Sequence, residues 1–322
     1  MPVVLPQAAK KVMILCAGGA KIMNLCLSEL EPSSVFGLRM KNALNRQSGS
    51  CVLTWTCHEA ILLKKYSVSD PEFVLVLREA IVWAVQAEGC TGVLVLHDAD
   101  TLCYIAASMS YLLNGIPASV IVTGALIPVD MPDSDVWENI GGALLAFACG
   151  IPNGVHLYFH GDILRPLLSS RIKTAGRQPF GERDDVPCQV GASCRLAEVT
   201  YRTPIKPVSV GVLPVFPGMG SSFLDCMLSS GIQSLVLEYD GIGDAFNLGV
   251  IRCLRRACSK GIVVVLISTC VGRGAYRIGD EINRLGVVSA GYMTREAIVG
   301  KLYALIGSGL KYNQVRDCFE RE

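Results

Sequence analysis

The sequence predicts an α/β protein with a larger N-terminal domain on a mainly parallel sheet and a smaller C-terminal α/β domain. Short apolar runs alternate with helical patterns along the chain, which is typical of βαβ units. Residues 93–96 read Val-Leu-Val-Leu, as expected for a strand buried on both faces. A chain of 322 residues is long enough to form two such cores.

The first part of the chain supplies most of the predicted elements. The predicted strands are Val12–Cys16, Val93–Leu96, Ser119–Thr123 and Gly154–Phe159. The predicted helices are Asp70–Ala87, Leu102–Leu113 and Ser134–Cys149. Asp70 gives the first helix an N-cap, and Pro71 suits its first position.

Between residue 165 and about residue 207 the regular patterns fade into mixed prolines, glycines and charges. We interpret this region as a functional loop followed by a linker, with domains at 1–190 and 208–322 and the linker at 191–207. The second domain has predicted strands at Val208–Val215, Ser234–Leu237 and Ile262–Ser268. Its predicted helices are Ser222–Ser230, Leu248–Ser259 and Thr294–Gly307.

Composition excludes several classes of protein. Hydrophobic residues make up 51% of the chain and charged residues 18%, which argues against a disordered protein. No apolar run approaches the roughly 20 residues that span a bilayer, and the first residues lack the basic-then-apolar order of a secretory signal. The net charge of +1 gives no reason to expect a nucleic-acid or membrane partner.

Fourteen cysteines are present, and no two have CxxC spacing. We interpret them as small core residues of a protein in the reducing cytoplasm, rather than as a disulfide framework. Neither a metal ligand set nor a G-x-G-x-x-G dinucleotide motif is evident, so no cofactor is expected.

Two loops carry the strongest functional signal. The buried strand at 93–96 stops at His97-Asp98-Ala99-Asp100-Thr101, and the first strand ends in Ala17-Gly18-Gly19-Ala20. Open α/β sheets bind ligands at the carboxyl ends of their strands, where both loops are expected to lie. The glycines fit a tight turn that needs backbone freedom.

The chain resembles the bacterial-type L-asparaginase family, in which two α/β domains hydrolyse the side-chain amide of asparagine. The resemblance rests on ordered segments at Ile14–Ala20, His97–Thr101, Val122–Ala125 with Pro128, Phe159–Asp162 through Arg171, Leu237–Asp244 and Gly291–Ala297. It covers nearly the whole chain and implies an asparaginase-like fold.

The resemblance also implies that most active positions are replaced. The family's two nucleophilic threonines correspond to Ala20 and Ala99, and its catalytic lysine to Arg171. A serine that grips the substrate carboxylate corresponds to Tyr66, whereas Asp100, which grips the substrate amino group, is kept. Alanine has no oxygen to form an acyl intermediate, and arginine stays protonated at neutral pH.

The candidate catalytic residues are therefore Asp100, Asp98, Lys21 and Arg171. The candidate substrate-binding residues are Gly19, Ala20, Tyr66, Ala99, Asp100 and Thr101. Alternatives stay open for three of them. Asp100 could instead be the N-cap of the following helix, Asp98 a solvated loop acid, and Lys21 a side chain in solvent.

We predict a diverged asparaginase-fold enzyme that acts on a small amino-acid-like substrate without a threonine acyl-enzyme, with a carbon–nitrogen bond as the candidate reacting bond. One alternative is a catalytically silent binding or scaffold protein with the same fold. The other is an L-asparaginase with a relocated nucleophile, either Thr101 or a hydroxyl from the segment after Asn24. The expected partners are an amino acid or amide ligand and further copies of the chain, in a homodimer or homotetramer.

Overall fold

The structure is a computed structural model that describes residues 10–18, 24–47, 53–58, 66–172, 176–183, 196–239, 246–267 and 280–320. The larger sheet has the strand order β2-β1-β3-β4-β5-β6. Its strands are β1 (Lys10–Cys16), β2 (Leu53–His58), β3 (Gly92–Leu96), β4 (Ser119–Thr123), β5 (Gly154–Phe159) and β6 (Asp162–Leu164). Strands β1 to β5 pair in parallel, and β6 pairs antiparallel with β5.

Both faces of the larger sheet are covered by helices, because its central strands are apolar on both sides. On β3, Val93 and Val95 belong to one core, and Leu94 and Leu96 belong to the other. The helices of this half are α1 (Leu27–Leu30), α2 (Val35–Gln47), α3 (Phe73–Gln86), α4 (Leu102–Leu112) and α5 (Val136–Cys149).

The second half forms a parallel sheet in the order β12-β11-β10-β9. Its strands are β9 (Val210–Pro214), β10 (Ser234–Glu238), β11 (Val263–Ile267) and β12 (Val288–Ser289). Its helices are α6 (Ser221–Ser229), α7 (Leu248–Ser259), α8 (Asp280–Arg284), α9 (Arg295–Gly307) and α10 (Tyr312–Glu320).

Helix α9 packs directly on α4 and joins the two halves. A Cβ at Gly300 would lie 2.8 Å from the Cα of Ser108, so the two helices cross too closely for a side chain there. The core that begins under β3 continues through this contact to Val265 of β11. The position of the second sheet relative to the first is thus fixed by side-chain packing.

The segment between the two halves is anchored to the first half. The buried guanidinium of Arg78 donates to the carbonyl oxygens of Leu112 at 3.2 Å and of Tyr201 and Thr203 at 2.7 Å. Asn114 donates to the carbonyl oxygens of two further residues of this segment, Leu196 and Val199. The described part of the predicted linker therefore lies fixed against the first half.

The predicted α/β fold class is confirmed, and the predicted strands and helices that fall in described residues lie within about three residues of their observed bounds. The N-cap prediction was wrong: α3 begins at Phe73, and the Asp70 carboxylate instead accepts from the backbone N–H of Ser67 at 2.6 Å. The predicted loop after residue 165 contains a short antiparallel pair, β7 (Ser169–Arg171) with β8 (Phe180–Glu182). Across the described ranges, no helix combines the length and the apolar character needed to cross a bilayer.

Candidate functional site

The loops that follow β1, β3 and β4 meet at the carboxyl edge of the larger sheet. The backbone N–H of Ala17 donates to the carbonyl oxygen of Leu96 at 2.9 Å, and that of His97 donates to Thr123 at 2.8 Å. A Cβ at Gly124 would overlap the carbonyl oxygen of His97, so only glycine allows this approach. Gly18 has a φ of +84°, the left-handed conformation that the predicted tight turn requires.

Asp100 and Arg171 are the candidate residues that the structure brings into contact. The Arg171 guanidinium donates to Oδ1 of Asp100 and forms an ion pair with it. Both side chains are accessible, with 57% of Asp100 and 45% of Arg171 exposed. The N-cap of α4 is Thr101 rather than Asp100, and the Asp100 carboxylate pairs with the arginine.

His97 and Thr101 form a second contact within the same loop. Nε2 of His97 lies 2.8 Å from Oγ1 of Thr101, and the imidazole ring packs 5.6 Å from the ring of Phe73. Complete burial lowers the pKa of His97 to about 4, although the nearby charge of Asp98 raises it in part. His97 is therefore neutral at neutral pH and, in one tautomer, its Nε2 accepts a hydrogen bond from the Thr101 hydroxyl.

The other candidates differ in what the structure shows of them. Ala99 is 1% exposed, so the position implied for the family's second threonine presents a methyl group to the core. Asp98 is half-buried, and Tyr66 is 36% exposed. Gly19, Ala20 and Lys21 lie outside the described residues.

A buried polar pair at the start of α5, formed by the N-cap residue Asp135 and by Asn139, supports the site and was missed by sequence reasoning. The Asp135 carboxylate accepts from the backbone N–H groups of Leu126 and Ile127, each at 3.0 Å. The Asn139 amide donates to the carbonyl oxygen of Gly124 at 3.0 Å and accepts from the N–H of His160 at 2.8 Å. Two polar residues spaced by four at the start of a mostly apolar helix were the available signal.

His160 itself has a φ of +44° and is followed by Gly161 at +91°. Positive φ at both positions is the geometry of a type I′ turn, which links β5 to β6 in a two-residue hairpin. The Asn139 contact thus holds the loop after β4 and this hairpin together, and the hairpin leads the chain toward Arg171.

The second half of the chain reaches this region through the start of α9. Ser170, adjacent to Arg171, donates to Oε2 of Glu296 at 3.0 Å, and Arg295 pairs with Glu238 at the end of β10. Burial raises the pKa of Glu296, which is 8% exposed. Burial is also the main cause of the raised pKa of Cys103 on α4; the charge of Glu296 adds to it and that of Arg171 opposes it.

Sequence reasoning missed this charge cluster because its members come from distant parts of the chain. The described residues contain no group of three His, Cys, Asp or Glu side chains placed to hold a metal ion. What the described site offers chemically is an accessible carboxylate–guanidinium pair beside a neutral histidine and a threonine hydroxyl.

Comparison with known proteins shows which protein family has this fold. A family model described as "Asparaginase, N-terminal" matches residues 11–201, and one described as "Glutaminase/Asparaginase C-terminal domain" matches residues 209–319. The chain therefore belongs to the asparaginase family.

Among individual proteins, L-asparaginase 1 of Escherichia coli K12 is 28% identical over 277 residues, which cover 81% of both chains. A Glutamyl-tRNA(Gln) amidotransferase subunit from Thermofilum pendens is 29% identical over 67% of this chain and 53% of its own. The 60 kDa lysophospholipase of Mus musculus is 28% identical over 69% of this chain and 42% of its own.

The crystal structure of L-asparaginase I from Vibrio cholerae superimposes with a TM-score of 0.76, at 25% identity and with 98% of both chains covered. The family predicted from the residues is thus confirmed over nearly the whole chain. The similar proteins carry more than one function in their names, so family membership alone does not fix the reaction of this chain.

Proposed function

We propose that this protein is a diverged asparaginase-family enzyme that binds a small amino-acid-like substrate at the Asp100–Arg171 pair. The proposed reaction is at a carbon–nitrogen bond of that substrate and proceeds without a threonine acyl-enzyme. The observation that carries the proposal is the accessible ion pair at the carboxyl edge, beside an alanine at the position implied for a nucleophile.

The charges of the pair suit a zwitterion. A substrate ammonium can bind the Asp100 carboxylate, and a substrate carboxylate can bind the Arg171 guanidinium bidentately. Because both side chains are exposed, separating them costs little, since exposed ion pairs contribute about 0–1 kcal/mol. The ammonium of an amino acid can therefore replace the guanidinium at Asp100, and its carboxylate can replace the Asp100 carboxylate at Arg171.

The absence of acyl-enzyme chemistry follows from the residue types. Alanine at positions 20 and 99 supplies no oxygen nucleophile, and Arg171 cannot act as the base that a lysine of lowered pKa can. Asp98, Asp100 and Lys21 are then the proposed acid–base residues. The proposed lining of the substrate site consists of Gly19, Ala20, Tyr66, Ala99 and Thr101. The resemblance to the family implies a glycine at the position of Asp98. Asp98→Gly, which introduces that glycine, should weaken turnover and leave the folded structure intact.

A thermal-shift screen over amino acids, their amides and small dicarboxylates tests the binding step. A ligand at 100 times its Kd stabilises the folded state by about 2.7 kcal/mol and raises Tm. Asp100→Asn should abolish this shift. Glu88→Gln is the matched control, because Glu88 also forms an exposed ion pair, with Lys11 at 3.5 Å, near the amino end of β3. Ligand shifts that survive Asp100→Asn would place the binding site elsewhere.

One observation favours a second candidate function, an L-asparaginase whose nucleophile is Thr101. Its hydroxyl lies 2.8 Å from a neutral imidazole, the arrangement of a nucleophile and its base. Against this candidate, an imidazole with a pKa near 4 is a weak base. The resemblance also implies that the family's loop reads His-Gly-Thr-Asp-Thr where this chain has residues 97–101, so the same histidine and threonine occur there, which fits a structural contact. Ammonia release that disappears in Thr101→Val but survives in Asp98→Gly would favour this candidate.

The proposed partners are the amino acid or amide ligand and further copies of this chain. We propose a homodimer or homotetramer, since most oligomers of soluble enzymes are symmetric assemblies of one chain. Light scattering at micromolar concentration should give a mass two or four times 34.5 kDa, and a mass of 34.5 kDa would contradict the proposal.

A further inference from the structure

A cleft lies beside the amino ends of the strands of the C-terminal sheet. It has a volume of about 870 Å³ and is lined by residues of three helices, α7, α8 and α10. Its polar lining includes Arg255 and Ser259 from α7, Asn283 and Arg284 from α8, and Tyr312 and Arg316 from α10. The volume falls in the range of about 300–1,000 Å³ that is usual for small-molecule sites.

The cleft is separate from the Asp100–Arg171 site. Helix α7 ends at Ser259, and β11 begins at Val263, so the cleft lies at the amino edge of the second sheet. Likewise α8 ends just before Gly286, which lines the cleft, and β12 begins at Val288. The Asp100–Arg171 site lies at the carboxyl ends of strands. The cleft and that site are therefore at opposite ends of the strands.

Three guanidinium groups converge on the cleft, and no acidic residue is among the described residues that line it. Arg316 donates to Glu320 at 2.9 Å and lies over the Tyr312 ring. Arg255 and Arg284 are exposed, and the described part of the chain gives neither of them a carboxylate partner. The sequence of α8 also contains two acids at its start, but the described lining of the cleft is basic.

The other side chains give the cleft a fixed shape. The Tyr312 hydroxyl donates to the carbonyl oxygen of Gly286 at 3.0 Å, which holds the phenol ring against the end of α8. Gly286 has a φ of +95°, so the chain turns sharply at this point and presents that carbonyl to the ring. Part of the lining is apolar: Cys258 is buried and Leu285 is half-buried.

We propose that this cleft binds a small molecule that carries two or more phosphate groups. A guanidinium presents donors in a fork that matches phosphate oxygens bidentately, and three of them on three helices are too many for one monoanion. The volume accommodates an organic part beside the phosphates, and the tyrosine and apolar wall give it a surface to pack on.

Isothermal titration calorimetry with three probes tests the proposal: inorganic tripolyphosphate, ATP and citrate. The protein variants are the double substitution Arg255→Ala with Arg284→Ala, and Arg252→Ala as the matched control. Arg252 is an exposed arginine of α7 that does not line the cleft. Its substitution removes one positive charge, as each of the other two substitutions does, but leaves the cleft unchanged. Apo Tm values check that all variants fold.

We expect saturable binding of tripolyphosphate and ATP, roughly tenfold or more weaker for each guanidinium removed, and little change in Arg252→Ala. Equal affinities for both probes would assign binding to the phosphate chain, and tighter ATP binding would show that the organic part is also bound; both support the proposal. It is overturned if neither phosphate probe saturates, if citrate binds as tightly, or if Arg252→Ala weakens binding as much as the double variant.

Discussion

His97 should make the stability of the protein depend on pH, and the size of the effect follows from its burial. The pKa of His97 is lowered from 6.5 to about 4 in the folded state. Below pH 6.5 the unfolded chain therefore binds a proton that the folded protein excludes. The stability contributed by the neutral buried imidazole is present above pH 6.5 and is lost as the pH falls toward 4.

With these two pKa values, His97 alone removes about 2 kcal/mol from the free energy of unfolding between pH 7 and pH 5. That is a large share of the roughly 5–15 kcal/mol typical of folded proteins. Glu296, whose pKa is raised by burial, changes stability in the opposite direction in the acid range, so the His97 contribution must be isolated by a variant.

The assay is urea unfolding at pH 7 and pH 5, for the parent protein and for His97→Gln. Glutamine keeps a polar group near Thr101 but does not titrate, so the variant should lose about 2 kcal/mol less than the parent over this interval. All other titrating groups are common to both proteins and cancel in the difference. Equal losses in the two proteins would show that His97 is not held neutral, and the reasoning from burial would be wrong.

Three further predictions concern the scaffold around the site. Gly124→Ala should lower the free energy of unfolding by roughly 2 kcal/mol, because the added Cβ overlaps a backbone oxygen of the loop after β3, and urea unfolding measures this. Arg78→Met should raise amide hydrogen exchange about tenfold in residues 201–203, two of whose carbonyl oxygens it binds. Ellman's reagent at pH 7.5 should modify exposed Cys226 and leave Cys103 unmodified, since Cys103 is buried and its thiol pKa is raised.

Each of these predictions has a control. Gly141→Ala should cost less than Gly124→Ala, because the nearest atom to the new Cβ is the flexible sulfur of Met40 at 3.2 Å. Arg39→Met, at an exposed position of α2, should leave exchange in residues 201–203 unchanged. Modification of Cys103 and Cys226 at equal rates in the folded protein would contradict the described packing of α4.

The helices and strands that could be predicted from the sequence are those whose apolar residues form a clear run or a regular spacing. The apolar run of β3 predicts a buried strand because both of its faces are covered. The β2 strand was not predicted: Leu53 and Trp55 are buried and Thr54 and Thr56 exposed, but two apolar residues among polar neighbours make a weak signal. The three-residue strands β7 and β8 are too short to show any period.

The candidate site was predictable in outline because ligand sites follow strand ends. The resemblance to the family assigned a role in one site to both Asp100 and Arg171, and the two side chains are in contact. The Ser170–Glu296 contact joins residues 126 positions apart, and nothing in the local sequence pairs them. The buried charge of Arg78 was equally hidden, since its acceptors at Tyr201 and Thr203 lie 123 and 125 residues along the chain.

Ammonia release from L-asparagine and L-glutamine tests most directly the proposal that this asparaginase-family protein does not use a threonine acyl-enzyme. The purified parent protein should release little or no ammonia, because Ala20 and Ala99 provide no oxygen nucleophile. A turnover of about 1 per second or more, the rate of an ordinary enzyme, would contradict the claim and favour a relocated nucleophile.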